Sequence, residues 1–330
     1  MPSKTVARLA ALTAVVTASV VGAAAPAARA DLITYCIGTG GAVTVPNDLY
    51  VPAGESCSLE GTTITGNVQV AAGANLVVNN GTISGEVRVA ADGYLDASGT
   101  SVGGQIVLNA GGFGVYLKNG SSGTVTLRPK GTSTIEGFLF VENSTVSGNV
   151  AVNVGEARLD RNTQVTGNVN SSGAYYTDVH DSFVDGTLSV LNNATGSVVC
   201  GSAVRGKATF AGNLGGVQLG PNGSLDGCAS GGYWGRDVVI SNTSGGVSLD
   251  DNIINGQLQL SANNPVAQVA ASNRIRGGVT GEQAPAAAAR AGAKAGAQPA
   301  AERPETAPGK AAARKAAAET EADAAGPARL

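Results

Sequence analysis

Ile64-Thr65-Gly66-Asn67-Val68-Gln69-Val70 returns 19 residues later as Ile83-Ser84-Gly85-Glu86-Val87-Arg88-Val89, and again as Val102-Gly103-Gly104-Gln105-Ile106-Val107-Leu108. A fourth copy is Val146-Ser147-Gly148-Asn149-Val150-Ala151-Val152. Later ones centre on Gly167, Gly186, Gly206 and Gly256, with degraded copies near Gly123, Gly227 and Gly277. From Gly66 the glycine-to-glycine steps are 19, 19 and 19, and from Gly148 they are 19, 19, 20 and 21. Apolar residues fall two before, two after and four after each glycine, which is strand alternation with one face inward. A second apolar pair follows half a rung later, as in Leu76/Val78, Val115/Leu117 and Val217/Leu219. One rung is therefore two or three short strands, and it cannot bury its inner face alone. Stacking at the strand spacing of ~4.8 Å makes parallel sheets around a continuous Val/Ile/Leu interior. The expectation is an all-β, single-stranded, right-handed parallel β-helix (β-solenoid) of about ten rungs, each roughly 19–21 residues.

The central glycine marks a bend or a close backbone approach where a side chain would clash. Five residues before it lies a column of Asn80, Asn143, Asn162, Asp181, Asn222 and Asp251. Asn and Asp tolerate turn conformations and, stacked, can bond from rung to rung. Triplets such as Asn80-Gly81-Thr82 are read as this turn chemistry, not as glycosylation sites. Thr63, Thr82, Ser101 and Thr145 begin an outward hydroxyl column of the kind an ice-binding array requires, but Gln164, Phe183 and Ala203 interrupt it.

Working outward, residues 1–30 read as a signal peptide. Lys4 and Arg8 precede an apolar run from Leu9 to Val21, and Ala28-Arg29-Ala30 is a small-x-small cleavage site. The run is shorter than the ~20 apolar residues of a membrane span. The mature chain is thus expected to be secreted, extracellular or cell-surface associated, with no transmembrane segment. Residues 31–60, with Pro46 and Pro52, read as an N-terminal cap over the exposed sheet edges, and residues 61–282 as the solenoid. Residues 283–330 turn to Ala, Pro, Lys, Arg and Glu without apolar periodicity, and read as a disordered or transiently helical tail.

Cys36, Cys57, Cys200 and Cys228 in an exported chain read as two disulfides. Three connectivities are open, and pairing of sequence neighbours is the simplest. Residues 31–282 hold 19 acids and 11 bases, and residues 283–330 hold 5 acids and 7 bases. An acidic body argues against nucleic acid as a partner.

Two stretches carry a resemblance, Cys57-Ser58-Leu59-Glu60-Gly61-Thr62-Thr63-Ile64-Thr65-Gly66-Asn67-Val68 and Asn252-Ile253-Ile254-Asn255-Gly256-Gln257-Leu258-Gln259-Leu260. They resemble the secreted Gly/Asn/Val-rich β-solenoid proteins of unknown function from high-GC Gram-positive bacteria. In that family the closing repeat often has a cysteine where this chain has Leu260. The rungs are also similar in style to bactofilins, which are polymer-forming solenoids without a signal peptide. The resemblance implies the fold and lends no chemistry.

The densest group of reactive residues is Tyr175-Tyr176-Thr177-Asp178-Val179-His180-Asp181-Ser182-Phe183-Val184-Asp185, which includes the only histidine of the chain. A sugar-cleaving solenoid would need paired carboxylates, or an acid cluster with a proton acceptor. Asp178, His180, Asp181 and Asp185 are the catalytic candidates on that reading. Tyr175, Tyr176, Tyr233 and Trp234 are the candidate carbohydrate contacts, although Tyr233-Trp234 also suits filling of a widened rung. A single histidine leaves no multi-His metal site. No cofactor or metal is expected. The leading expectation is a non-enzymatic structural or interaction protein, whose partner is cell-wall or extracellular polysaccharide or a surface protein. A polysaccharide lyase or hydrolase and a self-assembling bactofilin-like polymer are the alternatives.

Overall fold

The alternation around each glycine resolves into three strands per turn, and corresponding strands of successive turns pair in parallel. The computed structural model describes residues 32–285 and 307–330, so the signal-peptide reading lies outside the described residues. Sheet A runs from Ile33–Tyr35 to Val279–Gly281, sheet B from Gly38–Gly40 to Gln283–Pro285, and sheet C from Thr44–Val45 to Arg274–Ile275. Sheets A and B have 13 strands each and sheet C has 12, giving a right-handed β-solenoid of about 12 turns. That is two more than the repeat suggests. The excess comes in part from the stretch expected as a cap, whose strands from Ile33 to Glu60 belong to the three sheets.

The core is one column per strand position. In sheet A, Val68, Val87, Ile106, Val125 and Val150 stack in register. In sheet C, Ile64, Ile83 and Val102 do the same, and all are buried. The repeating glycine is a close approach: a Cβ on Gly186 would lie 2.4 Å from the carbonyl oxygen of Gly167, one turn away. Its own amide donates to that oxygen at 3.1 Å. Asn80, Asn143, Asn162, Asp181 and Asp251 all have positive φ, between 44° and 63°, as their place at the turn into sheet C demands. Asn143 Nδ2 donates to Asn119 Oδ1 at 2.8 Å, one rung of the amide ladder.

The degraded copy at Gly227 is not a rung. Trp234 pairs in register with Val204 and Ile254, so the glycine position of that turn is held by Arg236. Residues 220–232 are an insertion, and Asn222 shares the left-handed conformation without sharing the column. Gln218 anchors the insertion to sheet B: its Oε1 accepts from the amides of Leu225 (2.9 Å) and Asp226 (3.1 Å), and its Nε2 donates to the carbonyl of Asp226 (2.8 Å). The disulfide Cys200–Cys228, with Cα atoms 5.5 Å apart, clips the insertion to the same sheet. Cys36–Cys57, at 5.6 Å, ties the first turn to the second.

Of the stretch expected as a disordered or transiently helical tail, residues 307–330 are described, and Ala307–Ala325 is a helix laid across the outer face of sheet B at its N-terminal turns. Ala311, Ala318 and Ala322 are buried against the sheet. Arg314 Nε donates to Asn75 Oδ1 at 2.6 Å, its guanidinium lies 4.8 Å from the centre of the Phe113 ring, and Glu321 accepts from Ser56 Oγ at 2.7 Å. Beyond the helix the chain adds to the sheet itself. The amide of Thr39 donates to Gly326 O at 2.9 Å, and the amide of Ala328 to Thr39 O at 2.7 Å. The otherwise open first strand of sheet B is thereby covered. No helix of the described residues is long and apolar enough to cross a membrane.

Candidate functional site

Strand alternation sends one column of sheet B outward: Asp96, Tyr116, Phe140, Arg158, Asp178, Val198 and Gln218 follow one another in register. The C-terminal helix covers the turns before this column's middle, and the insertion 220–232 covers the turns after it. Between them lies a small cleft of about 90 Å³ lined by Tyr116, Phe140, Glu142, Arg158, Asp160 and Arg161. Two columns border it, because Glu142 is the register partner of both Lys118 and Asp160.

The cleft is a set of matched charges. Tyr116 Oη donates to Glu142 Oε2 at 2.6 Å, and Lys118 lies 3.5 Å from Glu142 Oε1, which Arg161 also reaches. Burial alone would raise the Glu142 carboxyl, but the Tyr116 hydroxyl with the charges of Lys118 and Arg161 outweighs it and holds the group below its ordinary value. The same carboxylate, with burial as the larger cause, pushes the Tyr116 phenol upward.

At the far end of the cleft, Arg158 reaches Asp178 Oδ2 at 3.2 Å, and His180 Nε2 is 2.6 Å from Asp178 Oδ1 and 3.5 Å from Asp226 Oδ2. Asp178 is only 2% exposed. Burial pulls the His180 imidazole down, but the contact with Asp178 and the charges of Asp178, Asp226 and Asp160 together raise it.

Of the four catalytic candidates, the structure brings Asp178 and His180 together and leaves the other two elsewhere. Asp181 is a turn residue with φ 44°. Asp185 follows the sheet C strand Phe183–Val184, where it pairs with Arg205 at 3.0 Å and accepts from Gln164 Nε2 at 3.1 Å. Asp226 is the member that sequence reasoning missed: it joins the group only through the insertion, whose signal in the sequence is the 28-residue step between Cys200 and Cys228.

Of the candidate sugar contacts, Tyr176 is buried with Val198 and Cys200, and Tyr175 packs against them with Leu225 under the insertion. Trp234 is excluded as a contact. It is fully buried among the interior columns, 6.2 Å edge-to-face from Phe210, with Nε1 donating to Asn252 Oδ1 at 3.0 Å. Its neighbour Tyr233 alternates outward and is 42% exposed on sheet C.

That outward column of sheet C is continuous. Thr44, Thr63, Thr82, Ser101, Ser121 and Thr145 stack in register, followed by Gln164, Phe183, Ala203, Tyr233 and Ile253. Phe183 is 49% exposed and Ile253 38%.

No protein-family model matches the chain, and no curated protein or solved structure is significantly similar to it. The resemblance drawn from the repeats thus rests on the stacked parallel coils alone.

Proposed function

We propose that this chain is an exported, non-enzymatic structural or interaction protein that meets extracellular polysaccharide through the outer face of sheet C. The observation that carries this reading is the column in which Phe183 and Tyr233 stand exposed two turns apart, about 9–10 Å along a flat parallel sheet. Aromatic faces at that separation suit stacking on the rings of an extended sugar chain. The six hydroxyl residues that continue the column offer donors and acceptors to the same chain.

The enzyme alternative draws its support from the nearness of Asp178 and His180. Against it, Asp178 is 2% exposed and occupied by Arg158 and His180, so a polymer cannot present a glycosidic bond to it. Head-to-tail polymerisation meets a different obstacle, since Thr39 at the first edge of sheet B is already bonded to Gly326 and Ala328.

The test is turnover of the purified mature chain on a panel of plant and bacterial polysaccharides, with and without calcium. The expected result is no new reducing or unsaturated ends. Turnover that disappears in a folded Asp178→Asn or Asp181→Ala variant would make the chain an enzyme.

A further inference from the structure

Three side chains from two separate segments converge where the insertion meets sheet B. Asp178 and His180 project from the strand Tyr176–His180, and Asp226 arrives on the insertion, held by Gln218 and by Cys200–Cys228. One ligand-type atom from each lies within 4.8 Å of the others. Asp178 Oδ1 and His180 Nε2 are both buried and 2.6 Å apart, and neither has a well-aligned hydrogen-bond partner among the described residues. Two buried polar atoms without an aligned partner are better satisfied by an ion that both can ligate.

We propose that Asp178, His180 and Asp226 bind one divalent transition-metal ion, which fastens the insertion to sheet B beside the disulfide. Ligands held at the ~2.1 Å typical of zinc stand about 3.4 Å apart in a tetrahedron. His180 and Asp226 are already 3.5 Å apart, and His180 and Asp178 need open by less than 1 Å to match about 3.4 Å. Asp178 offers Oδ1 to the ion while Arg158 holds Oδ2, the outer support that ligating carboxylates usually have. One nitrogen and two carboxylates suit zinc or manganese better than calcium, which takes oxygen alone.

Because His180 is the only histidine, its imidazole is an isolated reporter. The experiment titrates ZnCl₂ into the untagged, oxidised full chain after chelator treatment and follows the imidazole carbon–proton signals by NMR. The expected result is a shift that saturates at one Zn²⁺ per chain, with affinity more than tenfold weaker in both Asp226→Asn and Asp178→Asn. Trp234 emission identical to wild type shows that each variant is folded. CaCl₂ at the same concentrations is expected to leave the imidazole unmoved. Signals that do not move with Zn²⁺, or that move equally in the Asp226→Asn variant, would overturn the site. Neither result bears on polysaccharide binding by sheet C.

Discussion

Lys315, on the C-terminal helix, places its ammonium 3.0 Å from Oδ1 of Asp96, a residue 219 positions earlier on the outer face of sheet B. Asp96 is almost fully buried, and the hydroxyls of Tyr94 and Ser98 donate to it at 2.9 Å each. A carboxylate in that position without a cation would carry an uncompensated desolvation cost. The acid therefore specifies where an alanine-rich helix docks, which alanine alone cannot do.

Removing the cation tests this relationship. Lys315→Ala is expected to weaken helix docking by about 1–3 kcal/mol, and Asp96→Asn in the same chain to recover part of the loss. Hydrogen exchange is the measurement. Amides of residues 311–325 exchange faster in the single variant, while those of Val68–Val70 in sheet A do not change. Equal protection of the helix in Lys315→Ala and wild type would show that the ion pair does not position it.

Trp234 is the only tryptophan, so its fluorescence reads one place in the interior. Its emission is expected to be blue-shifted and resistant to iodide, and unchanged by any polysaccharide that binds. Trp234→Ala is expected to cost about 3–5 kcal/mol, as for other large core deletions, seen as a lower unfolding midpoint. Ready quenching by iodide would place the ring outside.

Glu142 gives a pH dependence of known sign. Its folded-state pKa lies below the ordinary 4.5, so its contribution is fully present above that value and fades as pH falls through the lower folded one. Glu142→Gln is expected to lower stability at neutral pH and to flatten the loss of stability on acidification. Melting temperatures of both proteins from neutral to acid pH measure it. Parallel curves would mean that the Tyr116, Lys118 and Arg161 contacts do not favour the charged form.

The repeat made most of the fold legible. Glycine spacing set the turn, apolar alternation set the inner columns, and the Asn/Asp column marked positions with positive φ, because each reflects a backbone demand that recurs every turn. What it hid is non-periodic. Leu225 and Ala229 flank Gly227 at the repeat's own offsets, so an insertion imitated a rung while Arg236 took the true position. The helix buries alanines and reaches the sheet with Arg314 and Lys315, which leaves no apolar stripe to read. Asp226 reaches His180 only through that same insertion, so local spacing around the histidine could not include it. Tyr233 and Trp234 were both candidate sugar contacts in the sequence, but a two-residue strand alternates and cannot expose both.

The most direct measurement of the account is co-sedimentation of the purified chain, produced without residues 1–30, with insoluble cell-wall and plant polysaccharides, for wild type and for Phe183→Ala/Tyr233→Ala. The account predicts that wild type binds at least one of them, and that the double variant loses more than tenfold in affinity with its melting temperature unchanged. Binding that survives intact in the double variant, or no binding to any polysaccharide, would contradict the role given to sheet C.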